Sequence, residues 1–163
     1  MRKNAIAILG GMGPEASGNI YKLLINLAIK DFGAKNNEDF PEIILYSVPV
    51  PDFISNNKNR NKALNMLKKR VELVNNGQTS CIAIACNTAH ILLPQLQVVS
   101  KAPFISMIDE TAKNVYQNEH KKIGLLGTPS TIKYGLYQDV LKRYGIFTII
   151  PSEKQILVIE KVI

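Results

Sequence analysis

The sequence predicts an α/β protein: parallel sheets with flanking helices, arranged as two pseudo-repeated domains of which the second is incomplete. Three observations carry that prediction. Strand-like and helix-like segments alternate along the chain, the pattern of right-handed βαβ units. The run at 81–86, Cys-Ile-Ala-Ile-Ala-Cys, is small or apolar throughout, as a central strand of a parallel sheet is. Finally, Ile8-Leu9-Gly10-Gly11-Met12-Gly13-Pro14 is echoed weakly by Leu125-Leu126-Gly127-Thr128-Pro129, each reading strand, glycine turn, proline, helix. The echo divides the chain into a first domain at 1–114 and a partial second domain at 115–163.

Residues 4–9 form a short apolar strand, and glycines at 10, 11 and 13 permit a tight turn before Pro14, whose fixed φ suits the first helical position. Glu15 complements the positive end of this helix, which runs to about Lys30 with Ile20, Leu23, Leu24, Leu27 and Ala28 on one face. A second strand at 43–48 leaves through Pro49-Val50-Pro51-Asp52, a rigid exit at the same sheet edge as the first glycine turn. A Lys/Asn-rich loop leads to a helix at 61–75, closed by Asn76-Gly77. The strand at 81–86 comes next, and its following helix is interrupted near Pro94. Further strands are expected at 104–107, 122–126 and 147–150. The helices among them open at Asp109, run from the Gly127 turn to about Tyr144, and begin again at Pro151-Ser152-Glu153. Ile156, Leu157, Ile159 and Ile163 give the last helix an apolar face that needs a partner surface.

A length of 163 residues suits one domain, or one domain and part of another. At 46% apolar and 20% charged, the chain has the material for a real core, which excludes disorder as its main theme. No run reaches membrane-spanning length, and the basic start precedes an apolar run too short for a signal peptide, so a cytoplasmic location is expected. The net charge of +7 is scattered over Lys58, Arg60, Lys62, Lys68, Lys69, Arg70, Lys121 and Lys122. Without interleaved aromatics, these read as solvated faces, and no nucleic-acid partner is expected.

Cys86 stands at a strand's carboxyl end, and Asn87 and Thr88 are good N-cap residues for the helix that follows. Open α/β sheets bind ligands at such places. A helix N-terminus stabilises a thiolate, and His90 lies one turn on, so Cys86 is a candidate low-pKa nucleophile or base. A small Cys packed at a strand end is the more frequent case, and the neighbours must decide. Cys81 lies about 16 Å from Cys86 at 3.3 Å per residue. That span is too long for a disulfide, and Cys81 reads as core.

Gly11-Met12-Gly13-Pro14-Glu15-Ala16 fits the G-x-G-x-x-A form of a dinucleotide site. The second strand, however, ends in Ser47-Val48-Pro49, with no acidic residue to hold a ribose. His90 and His120 are not spaced as metal ligands with either cysteine. No lysine sits in a context that suggests a pyridoxal Schiff base, and no cofactor is expected.

Taken together, Gly10-Gly11-Met12-Gly13-Pro14-Glu15-Ala16, Cys86-Asn87-Thr88-Ala89-His90, Ile105-Ser106-Met107-Ile108 and Gly127-Thr128-Pro129-Ser130-Thr131 resemble the cofactor-independent aspartate/glutamate racemases. The resemblance covers nearly the whole chain. It implies two similar α/β domains facing each other across a cleft, usually in a homodimer. It also implies α-proton exchange on an amino acid by two thiols, one per domain, without pyridoxal phosphate or metal. By this resemblance Cys86 is the first thiol and Gly11 and Met12 line the cleft. Asn87, Thr88 and Ala89 would bind the substrate carboxylate through side chains and helix-start amides, and Thr131 would contact it from the second domain. The family's second cysteine sits in a Gly-Cys-Thr-Glu segment on a later strand, past Ile163. Where many members carry Arg after Pro-Asp, this chain has Pro51-Asp52-Phe53, with Arg60 as the substitute to examine. Asp109 and Glu110 read as helix-start residues. The chemistry agrees, since inverting an α-carbon needs a base on one face, an acid on the other, and donors on the carboxylate. An aspartate or glutamate racemase is therefore expected, the alternative being a truncated, non-catalytic remnant that binds a small carboxylate.

Overall fold

Ala5–Gly10 (β1) lies inside a four-stranded parallel sheet in the computed structural model, which describes residues 5–53, 57–159 and 161–162. Asn4, the expected first residue of that strand, lies outside the described residues. The strand order is β2-β1-β3-β4, with Ile43–Ser47 as β2, Thr79–Ile84 as β3 and Phe104–Ile105 as β4. Ala7, Ile8 and Leu9 of β1 and Ile82 of β3 are fully buried, as an uninterrupted apolar run in a central strand requires.

Pro14–Phe32 (α1) follows β1. Pro14 is pre-set for its first turn, and Gly33 ends it at φ 69° with a pair of closing bonds, Gly33 N–H to Ile29 O and Ala34 N–H to Ala28 O. The expected apolar face is only partly covered: Ala28 is buried, while Leu23 and Leu27 are 58% and 45% exposed. Arg60–Asn75 (α2) buries Ala63, Leu67, Val71 and Val74 at helical spacing.

Two sequence expectations near residue 86 are corrected. The strand begins earlier and ends at Ile84, so Cys86 lies just past it; Ala85 N–H makes the last bond toward β1, to Leu9 O at 2.9 Å. The continuous helix is instead a 3-10 turn, Thr88–Leu92, followed by the short helix Leu93–Gln97 (α3). Pro94 sits in the first turn of α3, where its missing N–H costs nothing, so it starts this helix rather than interrupting one.

By compactness the chain divides into Met1–Ile105 and Ser106–Ile163. The expected strand at 104–107 stops at Ile105 because Ser106 caps the next helix, Met107–Gln117 (α4), its hydroxyl accepting from Asp109 N–H at 3.1 Å. Helix α4 packs within the second unit: Ile108 and Ala112 share a core with Val140, Leu141 and Ile146. Lys122–Gly124 (β5) and Phe147–Ile149 (β6) form that unit's parallel pair. The helix expected to reach Tyr144 is two helices, Pro129–Lys133 (α5) and Gln138–Arg143 (α6), divided where Gly135 takes φ 64°. Glu153–Ile159 (α7) is the last. No helix among the described residues is long and apolar enough to cross a membrane.

Candidate active site at the carboxyl ends of β1 and β3

The strand order puts a switch point at β1: the chain passes from β1 to β2 on one side and returns to β3 on the other. In open α/β sheets the loops leaving the two strands at such a switch point separate, and ligands are held between them at the strands' carboxyl ends. Gly11 and Met12 lie on the first loop, and Cys86 to Ala89 on the second.

The first loop is held tightly. Gly11 takes φ 89°, and a Cβ there would fall 2.4 Å from Val48 N and 2.6 Å from Val48 O. No other residue fits without moving the exit of β2, which is itself tied to β1 by Val48 N–H to Gly10 O at 2.9 Å. Ser17, 2% exposed, accepts from Gly11 N–H at 2.9 Å and donates to Gly13 O at 3.3 Å. Sequence reasoning passed over this serine; its signal is a hydroxyl one helical turn after Gly13. Ser17→Ala leaves a backbone N–H without its acceptor and is expected to cost about 1–3 kcal/mol in urea unfolding. A loss within error of zero would mean that water takes over the bond.

On the second loop, Cys86 is half-buried, and the burial raises its thiol pKa above the ordinary value. Backbone hydrogen bonds from Ala89 and Thr88 pull the other way without prevailing. This corrects the expectation of a low-pKa cysteine: a single 3-10 turn supplies two amides but not the dipole of a long helix, and desolvation outweighs them. His90, buried, brings Nδ1 to 2.9 Å from the Cys86 carbonyl oxygen, so the one-turn spacing serves the backbone.

Asn87 stands exposed at the start of the turn with helical φ and does not cap it with its side chain. Thr88 and Ala89 are buried, and each offers its N–H to the sulfur. Arg60, the first residue of α2, donates from Nη2 to Ile91 O at 3.3 Å, which fixes a cation against the same turn. Thr131 belongs to the second unit, where it is buried in the first turn of α5. Its N–H donates to Thr128 Oγ1 at 3.2 Å, and the two hydroxyls lie 3.0 Å apart. Asp109 and Glu110 are exposed at the start of α4, paired with Arg143 and Lys113. No group of three or more His, Cys, Asp or Glu among the described residues could hold a metal ion. Surface concavities of about 580 and about 400 Å³ lie beside α1, and one of about 430 Å³ lies along β5 and β6; Cys86 lines none of these three.

Residues 9–163 match the sequence model of the Asp/Glu/hydantoin racemases, from the end of β1 to the last residue. The chain belongs to that family. Among its relatives, a broad-specificity amino-acid racemase of Bacillus subtilis is 34% identical over 143 residues, 86% of this chain and 61% of the relative. The aspartate racemase of Picrophilus torridus superposes with a TM-score of 0.80 at 30% identity, over 95% of this chain and 65% of that one. An aspartate racemase homologue from Pyrococcus horikoshii gives 0.79 at 25% identity, over 99% and 70%. The chain thus spans about three-fifths of the length of the Bacillus racemase. Of the positions the racemase resemblance nominates, the fold gathers Gly11, Met12, Cys86, Asn87, Thr88 and Ala89 on the two switch-point loops.

Proposed function

We propose that this chain supplies the first-domain half of an amino-acid racemase site acting on aspartate or glutamate, with Cys86 as the thiol that exchanges the α-proton. The observation that supports it is the convergence of one half-buried thiol and the Thr88 and Ala89 amides on the loop that leaves β3 beside the switch point. In this reading the Cys86 thiolate removes the α-proton. The electron pair left on the α-carbon delocalises into the substrate carboxylate, which Asn87 and the turn amides bind, and a thiol returns a proton to the carbon. By the family resemblance, Gly11 and Met12 line the substrate site and Thr131 is a further substrate contact. The second thiol would come from residues outside this sequence, and no cofactor takes part. A sulfur in such a pair must act as acid in one direction and base in the other, so a thiol kept partly protonated by burial is suited to the exchange. The expected working form is a homodimer in the cytoplasm.

The test is deuterium exchange at the α-carbon of each enantiomer of aspartate and glutamate in D2O, followed by proton NMR. Loss of the α-proton signal in at least one enantiomer, with or without inversion, supports the proposal. Binding without exchange would favour the non-catalytic remnant, and neither would remove both readings.

A further inference from the structure

We propose that His90 is a positioning residue for Cys86: its Nδ1–H holds the Cys86 carbonyl and so fixes the peptide that aims the sulfur at the Thr88 and Ala89 amides. A carbonyl oxygen only accepts, so the ring nitrogen 2.9 Å from it carries the proton. His90 is 5% exposed, in a run where Thr88, Ala89, Ile91 and Leu92 are buried too, so its ring has little freedom to swing away. His90 also acts from its backbone, its N–H donating to Asn87 O at 3.1 Å. The residue therefore grips the turn twice, closing it at Asn87 with the main chain and reaching back to Cys86 with the ring. With the Cys86 carbonyl fixed, the ψ of Cys86 is fixed, and the sulfur stays over the amides of the two residues that follow Asn87.

The influences on that sulfur are burial and the two amides, so loosening the peptide removes the part that favours thiolate. A buried histidine that merely fills space would be replaced by any side chain of similar size. One that positions the peptide would be replaced only by a side chain with an N–H in the place of Nδ1. Asparagine offers its amide N–H near that place; glutamine offers it a methylene farther out, and leucine offers none.

This inference rests on the proposal that Cys86 is the reacting thiol, but its test does not need turnover. The full-length chain is alkylated with iodoacetamide across a pH series, and Cys86 and Cys81 peptides are quantified from the same digest, Cys81 serving as the internal reference. His90→Leu is expected to move the Cys86 profile to higher pH and to slow its alkylation at mildly alkaline pH about tenfold against Cys81, the change that one unit of lost thiolate stabilisation brings. His90→Asn is expected to stay within about twofold of the wild type on the same scale. A folded His90→Leu protein with an unmoved profile overturns the assignment. Should His90→Leu fail to fold, the comparison passes to His90→Asn and His90→Gln: a shift in the second alone supports the assignment, and equal profiles overturn it. A moved profile in a protein without α-proton exchange would leave the positioning role standing and count against the racemase.

Discussion

Cys86→Ala is expected to lower α-proton exchange by on the order of 10²–10⁴-fold, the range over which one positioned acid or base acts. The fold should survive, because Cys86 lies past the end of β3, is only half-buried, and lends no ladder bond through its side chain. Cys86→Ser should fall nearly as far, since a hydroxyl of similar size in the same place is a far weaker acid than a thiol and supplies little base. The pH dependence separates a sulfur effect from a packing effect. Burial raises the Cys86 pKa, so near neutrality the thiol outnumbers the thiolate, and exchange by the wild type should climb as pH rises through the thiol's titration. Residual exchange by Cys86→Ala should lack that climb. NMR of the α-proton signal at a series of pH values reads both effects. Equal rates in the wild type and in Cys86→Ala at every pH would remove Cys86 from the reaction.

The fold was legible because its signals are local and repeated. The apolar run before Gly10 and the one before Cys86 announce buried strands, and Pro14 and Pro129 each mark a first helical turn. Boundaries were less legible wherever a neighbour intervened. Ser106 reads as part of a strand until its hydroxyl is seen capping α4, and Pro94 reads as a break until α3 is seen to begin there. At the candidate site the sequence placed Cys86 at the carboxyl end of a strand, which follows from order alone, but it ran that strand two residues too far and read a continuous helix where a 3-10 turn stands. The direction of the Cys86 pKa shift did not follow, since it depends on how many atoms exclude water from the sulfur and on whether a whole helix or one turn stands beside it. Ser17 was illegible for a related reason: its two bonds bridge a loop whose path is set by Gly11 at φ 89° and by Val48, residues that only the folded sheet brings together.

Gly11→Ala is expected to be strongly destabilising. A positive φ of 89° is a conformation that a Cβ disfavours by about 1–3 kcal/mol. The new carbon would also meet Val48 N at 2.4 Å and Val48 O at 2.6 Å, distances no relaxed contact allows. These are backbone atoms of the β2 exit, so relief requires the exits of β1 and β2 to separate, an overpacking cost of about 1–3 kcal/mol more. The separation strains two bonds at once, Val48 N–H to Gly10 O and Gly11 N–H to Ser17 Oγ, each at 2.9 Å. Together the loss is about 2–6 kcal/mol, a large share of the roughly 5–15 kcal/mol that holds a domain folded. Gly13→Ala is the matched control: a Cβ there meets nothing within 4 Å, and φ is −103°, which any residue adopts. Gly13 is the N-cap of α1, where alanine is disfavoured against glycine, so this control should lose no more than about 1 kcal/mol. Urea unfolding of the two variants beside the wild type measures the difference. If Gly11→Ala and Gly13→Ala unfold at the same midpoint, the close approach to Val48 is not what holds the path of the loop that carries Gly11 and Met12.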